Sequence, residues 1–435
     1  MKIDFSKYYS ALEKPLVKRL GRVSQVVGLT IESIGPDVSI GEMCRIKANI
    51  HAESIAAEVT GFKDGRVILL PLGHMEGISP GSIVEAMGKP LQINISNDLL
   101  GRVLNGIGEP IDGKPPVLSG DKFSTVNPPP NPLLRARIKE PIPLGIKAID
   151  GLLTVGKGQR VGIFSGSGVG KSTLLGMIAR NTQADVNVIA LIGERGREVR
   201  EFLEKDLGED GLKRSVLIIA TSDQPALVRV KAAEVGTAIA EYFRNQGKDV
   251  LFLMDSLTRF AMAQREVGLA SGEPPVSRGY TPSVFAVMPK LLERAGNSEN
   301  GSITGLYTVL VDGDDLTELV TDTARGILDG HIVLNRKIAN RNHYPAIDVL
   351  AGVSRVMPDI VSPEHKAAAD AVKRSMAVYA DAEDLINIGA YARGSSEEID
   401  SAIDKHKGID EFLVQTVEEK IPFEETITWL NSFLN

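Results

Sequence analysis

Cysteine is nearly absent from this sequence. Cys44 is the only one in 435 residues, which excludes an intramolecular disulfide and a thiolate zinc site and fits a reducing cytoplasm. No run of 18 or more apolar residues occurs, so no segment reads as a membrane span. The opening stretch MKIDFSKYYS mixes charge and polarity and has no apolar signal-peptide segment. Aromatics are scarce at 5%, which leaves little material for base-stacking platforms. Basic residues are outnumbered 49 to 56, and the net charge of -7 argues against a broad nucleic-acid surface. The six histidines (His51, His74, His331, His343, His365 and His406) form no H-E-x-x-H pair. G-x-S-x-G occurs only as GISPG at 77–81, among the short strand-like runs and not between a strand and a helix as a nucleophile elbow needs, and G-x-G-x-x-G is absent from the glycine loop, so hydrolase and dehydrogenase readings fall away.

What is present is ordinary globular material. Hydrophobic residues make up 43% and charged residues 24%, enough for a sizeable core and no basis for disorder. The length fits about three domains of roughly 150 residues. To about residue 90, the Val- and Ile-rich runs GRVSQVVGLTIESIG, MCRIKANI, IAAEVTGF and GRVILLPL read as short strands of a small barrel or sandwich. Before them, Phe5, Tyr8, Leu12 and Leu16 recur at helical spacing, an amphipathic helix or a frayed terminus. A Pro-rich connector at 114–133 reads as extended chain running over a surface.

The middle third alternates apolar runs with helical patterns. RVGIFSG, VNVIALIGE, SVLIIAT, DVLFLMD and GSITGLYTVLV are continuously apolar, as in parallel strands covered on both faces. Between them, KSTLLGMIARNT, REVREFLEKDLG and ALVRVKAAEVGTAIAEYFRNQG have helical period, which indicates an α/β fold. From about 360 the pattern is helical to the end. The expected division is 1–90, 91–360 (connector included) and 361–435.

IFSGSGVGKSTLL carries the strongest chemical signal. It follows an apolar strand and opens a helix, the context of a phosphate-binding loop. Gly166, Ser167, Gly168, Val169 and Gly170 would wrap a polyphosphate with backbone amides, helped by the helix that Lys171, Ser172 and Thr173 begin. Lys171 would reach the β- and γ-phosphates and the Ser172 hydroxyl would ligate Mg²⁺. Ser165 stands where the strict pattern has its first glycine. Asp255, ending LFLMD, suits the place where Mg²⁺ is held through water, with Asp312 of TVLVD as a competitor. In GERGREV, Glu194 could deprotonate an attacking water, and Arg195 could pair with it or bind phosphate. From spacing alone, the same residues also fit a solvated helix start. The residues therefore read as an NTPase.

Several further motifs resemble one family. GIKAIDGLLTVGKGQRVGIF, GERGREV, DSLTRFA, PPVSRGYTPSVF, RGILDGHIVL and HYPAIDVLAGVSRV are similar to the flagellar type III export ATPases, relatives of the rotary ATP synthase α and β subunits and of the injectisome ATPases. The resemblance covers nearly the whole chain. It implies an N-terminal β-barrel, a RecA-type P-loop NTPase core and a C-terminal helical domain, arranged as a homohexamer that hydrolyses ATP with Mg²⁺.

The resemblance also implies individual roles. Glu194 matches the catalytic glutamate, with Arg195 beside it. Arg355 matches an arginine finger that reaches a neighbouring subunit's nucleotide, and Tyr344 matches the aromatic that stacks on adenine. Implied partners are a stalk-type regulator at the N-terminal segment, a coiled-coil central stalk, the export gate and chaperone–substrate complexes. No nucleic acid is implied, and the expected place is cytoplasmic, peripheral to the inner face of the cytoplasmic membrane at the export apparatus. Two alternatives are a non-catalytic ring subunit and a hexameric RNA translocase. Glu194 with Lys171 speaks against the first. Against the second, Phe5, Tyr8, Tyr9 and Phe62 are the only aromatics in the first 90 residues.

Overall fold

The computed structural model describes residues 17–47, 54–117, 120–311 and 318–434. The segment holding Phe5, Tyr8, Leu12 and Leu16, and the competitor Asp312, lie outside them.

Six strands close a barrel: β1 (Leu20–Val27), β2 (Thr30–Ile34), β3 (Met43–Lys47), β4 (Ser54–Lys63), β5 (Arg66–Pro71) and β6 (Ile83–Ala86). Their order is β1-β2-β5-β4-β3-β6, with β6 pairing back to β1. Val23, Ile31, Ile46, Val59, Leu69 and Val84 fill the interior, as inward positions of alternating strands must. Asp64 (φ 49°) and Gly65 (φ 73°) make the two-residue turn of the β4–β5 hairpin, where left-handed backbone matches strand twist. The barrel thus decides between the two all-β readings.

After the barrel come β7 (Gln92–Ile95), β8 (Arg102–Asn105) and β9 (Asp121–Ser124). The central sheet is then built by β10 (Arg160–Ser165), β11 (Val186–Ile192), β12 (Ser215–Ala220), β13 (Asp249–Asp255), β14 (Gly296–Asn297), β15 (Ser302–Leu310), β16 (Gly330–Leu334) and β17 (Ile347–Ser354). Its path is β17-β16-β10-β15-β13-β11-β12-β8, with β14 on the side of β15. From β16 to β8 every pairing on this path is parallel. Helices cover both faces, which is why β11 is buried at all seven positions. The helix Ala226–Asn245 packs on one face, and Lys171–Asn181 contributes to the core of the other.

The connector departs from the expected surface run. Its β9 pairs antiparallel with β7, and Thr125 is fully buried. Asn127 Nδ2 donates to Glu241 Oε2 at 2.7 Å, and Arg294 joins Glu241 to the Thr125 carbonyl. The Arg294–Glu241 pair is itself buried, and such a pair is kept only where the remaining donors find partners. The connector supplies one of them. REVREFLEKDLG also breaks up, into Gly196–Glu201, a π-turn at Phe202–Leu207 and Gly208–Lys213.

Beyond residue 360 the chain is helical: Pro363–Asn387, Glu397–Leu413 and Phe423–Asn431. Ser362 and Ser396 cap the first two, their hydroxyls accepting from the His365 and Ile399 amides. Phe412 and Leu430 bury these helices against Gly151 of the α/β core.

Candidate nucleotide site

The phosphate loop leaves the sheet at Ser165 and enters the helix Lys171–Asn181. Gly168 (φ 74°) and Gly170 (φ 87°) adopt the left-handed backbone that the turn requires. Val169 is buried and anchors the loop, while Ser167, Gly168 and Ser172 are exposed. Gly170 offers no side-chain cap, so the first-turn amides of an 11-residue helix remain available to an anion. Ser165 does preserve the turn in place of glycine, and its buried Oγ has no hydrogen-bond partner.

Parallel strands bring the acidic residues to the same edge. Asp255 ends β13, and Glu194 follows β11, its neighbour in the sheet. Lys171 Nζ lies 2.5 Å from Asp255 Oδ1 and 3.3 Å from Glu194 Oε1. All three side chains are largely buried. Burial, reinforced by the Asp255 charge and opposed by Lys171, pushes the Glu194 carboxyl up to about 7. Burial works against the Lys171 ammonium, yet the two carboxylates prevail and hold its pKa above the ordinary value. Three sequence candidates therefore meet within contact distance.

Others are placed differently. Arg195 is 69% exposed and pairs with Glu198 at 3.6 Å, not with Glu194. One turn of helix puts residues three apart side by side, which explains the choice. Tyr344 stands beside the loop: a Cβ added to Gly170 would lie 3.5 Å from its Cδ1 and Cε1. Its carbonyl accepts from the Gln415 amide at 2.9 Å, and the residue is 41% exposed.

Arg355 is distant from its own chain's loop. Ser354 pairs with Gly330, and Gly330 pairs with Val161, at the start of β10. The loop leaves the far end of β10, roughly 13 Å away at about 3.3 Å per residue. Arg355 is exposed there, its Nη2 donating to the Arg325 carbonyl at 3.4 Å and its amide to the Asp329 carbonyl at 3.1 Å.

Two residues escaped the sequence reading. Arg336 Nη2 donates to the Ser167 carbonyl at 3.2 Å, and Thr308 Oγ1 donates to Asp255 Oδ1 at 2.6 Å. The available signal for Thr308 was a hydroxyl in the second half of the run GSITGLYTVLV, which also holds Ser302, Thr304 and Tyr307.

The donor set fits magnesium better than a caged metal. No group of three or more His, Cys, Asp or Glu able to hold an ion occurs among the described residues. One hydroxyl and one carboxylate are hard oxygen donors, and Mg²⁺ completes its shell with water and phosphate.

Comparison with known proteins agrees with this geometry. The ATP synthase alpha/beta family nucleotide-binding domain matches residues 145–354, and that family's beta-barrel domain matches 23–88. The T3SS EscN ATPase C-terminal domain matches 361–432. A flagellum-specific ATP synthase of Bacillus subtilis is 56% identical over 95% of both chains. The chain belongs to the ATP synthase alpha/beta family. Within it, a type 3 secretion system ATPase of Xanthomonas euvesicatoria is 50% identical over 95% of this chain and 94% of its own. The assembled ATPase EscN of enteropathogenic E. coli superposes with a TM-score of 0.90 at 47% identity. It covers 95% of this chain and 100% of its own, and EscN has also been solved with its central stalk EscO. The resemblance to flagellar export ATPases, the three-part fold class and the ATPase activity expected from sequence all hold. This export-type ATPase has no helix among the described residues long and apolar enough to cross a membrane.

Proposed function

We propose that this ATPase works as a homohexameric ring whose MgATP hydrolysis energises flagellar type III export, including unloading of chaperone-bound substrates. The observation that carries the reading is the division of the site. Lys171, Glu194 and Asp255 converge at one edge of the sheet, while Arg355 of the same chain stands at the opposite edge. A second copy turned head to tail can present its Arg355 to this site, so identical chains suffice.

The loop amides and Lys171 bind the phosphates, and Tyr344 stacks on the base. Glu194 orients water and takes its proton. A neighbour's Arg355 then stabilises the charge that develops, an effect typically worth about 10³–10⁵ in turnover. Ser172 and Asp255 would hold magnesium, which when bound neutralises phosphate charge. Opening and closing of the interface would move the C-terminal helices. Arg195 remains at the site's rim, a phosphate contact only if it leaves Glu198.

The solved complex of EscN with EscO supports a central-stalk partner. A regulator at the N-terminal segment, the export gate, and a peripheral position at the cytoplasmic face of the membrane belong to the same reading. The match to a T3SS EscN domain favours, as a second reading, an injectisome ATPase. Glu194→Gln tests the chemistry: Mg-dependent hydrolysis should largely vanish while ATP binding persists. Wild-type turnover would remove Glu194 from its role. Deleting the protein separates the two systems, since loss of secreted filament proteins marks the flagellar one.

A further inference from the structure

Thr308 is wholly buried in β15, the strand between β10 and β13. A hydroxyl sealed from water needs a partner, and this one has two candidate acceptors. Asp255 Oδ1 lies at 2.6 Å and the Met254 carbonyl at 3.3 Å. One proton serves one acceptor well, and the shorter contact, to a charged group, takes it. The strand register fixes this meeting. Met254 stands opposite Tyr307, so the next position along each strand brings Asp255 and Thr308 level. The β-branched side chain is stiff about χ1, which makes its hydroxyl a fixed donor.

Both partners of Asp255, Lys171 and Thr308, bind the same oxygen. Among the described residues no hydrogen bond reaches Oδ2. The carboxylate is thus gripped by one oxygen and offers the other. The two grips differ in kind. The Lys171 ammonium sits on a long flexible stem and is the group that engages phosphates in the proposed reading. The Thr308 hydroxyl is built into the sheet and stays.

We infer that Thr308 is a positioning residue that holds Asp255 by Oδ1 once Lys171 has turned to the nucleotide, keeping Oδ2 presented to the magnesium shell. The inference rests on the proposed nucleotide site. It predicts a residue whose loss weakens the use of magnesium more than the binding of nucleotide itself.

The test compares Thr308→Val, which keeps shape and removes the hydroxyl, with Thr308→Ser, which keeps the hydroxyl. Affinity for a fluorescent N-methylanthraniloyl ATP is measured on the full chain with EDTA and across a Mg²⁺ titration, alongside the Mg²⁺ dependence of hydrolysis. A hydrogen bond to a charged group is worth about a factor of ten or more. Thr308→Val should therefore raise the Mg²⁺ needed for half-maximal binding and turnover about tenfold. Its EDTA affinity should match wild type, which also reports that it is folded, and Thr308→Ser should recover most of the loss. An unchanged Mg²⁺ midpoint in Thr308→Val overturns the inference, as does equal impairment of both variants or a loss of EDTA affinity. Asp255→Asn and Lys171→Ala are the controls on the site. If Asp255→Asn loses Mg²⁺ dependence while Thr308→Val does not, only the role of Thr308 fails. Should both controls bind MgATP like wild type, the nucleotide site itself fails.

Discussion

Lys231 Nζ lies 2.6 Å from Glu58 Oε2, joining barrel strand β4 to the long core helix Ala226–Asn245 through a buried ion pair. Glu234 shares the same ammonium at 2.9 Å. Lys231→Met should then be far worse than Glu58→Gln. The first leaves two carboxylates without their cation, and breaking a buried pair in this way costs about 3–5 kcal/mol. The second leaves Lys231 with Glu234. Burial already holds the Glu58 carboxyl above its ordinary value, so without Lys231 it would rise further. A raised carboxyl gives stability that is present at low pH and lost as pH climbs through the folded value. The Lys231→Met deficit in Tm should accordingly grow from acid to neutral pH. Equal losses in the two variants would refute the pairing as the main junction.

The Glu194 carboxyl, standing at about 7, ties rate to pH. A protonated carboxyl cannot take a proton from water, so kcat/KM for MgATP should climb with pH through about 7. Stability runs the opposite way. Because the folded value exceeds the ordinary 4.5, the contribution is present at low pH and is lost as pH rises through about 7. Glu194→Gln, which does not ionise, should therefore gain Tm over wild type as pH climbs from about 4.5 to about 7. Parallel Tm curves for the two proteins would contradict the buried carboxyl.

Two inactive variants should repair each other. In the proposed ring, Arg355→Ala would lack the borrowed arginine and Glu194→Gln the base, yet each would carry what the other has lost. In a randomly mixed ring roughly a quarter of interfaces pair an intact Glu194 with an intact Arg355. ATPase activity should reappear on mixing and approach that fraction of wild type. Mixed rings, verified by mass, that stay inactive would place both residues in one subunit's site.

Tyr344 beside Gly170 predicts a base contact that depends on the ring and not on the hydroxyl. Tyr344→Phe should keep the KM for ATP within about twofold. Tyr344→Ala should raise it about 5- to 50-fold, the scale of one lost stacking contact. A KM unmoved by Tyr344→Ala would assign the ring to packing.

Much of this was legible because it is local. β10, β11, β12, β13 and β15 announced themselves as apolar runs, since strands covered on both faces carry no polar alternation. Lys171, Glu194 and Asp255 each end or follow such a run, so their meeting at one edge could be foreseen. β6 could not: its four residues include a single fully buried one. Thr308 was hidden for a related reason, because it is one of several hydroxyls in a buried strand, and nothing singles it out until its neighbour strand is known. The pairing of Arg195 with Glu198 was not legible, because spacing shows adjacency to Glu194 but not which carboxylate the helix turns toward it. The burial of Thr125 in the connector depended on Arg294 and Glu241, far along the chain, and proline content alone gave no sign of it.

The outermost strand of the central sheet, β8, comes from chain that precedes the connector, and it pairs with β12 from Arg102 to Asn105. Anyone grafting the barrel of one relative onto the motor of another must therefore cut between β6 and β7. A cut at the prolines, where composition invites it, would strip the sheet of its last strand. The row of amides and carbonyls along β12 would then stand open to any passing strand, and a hybrid enzyme would be turned into an aggregating one.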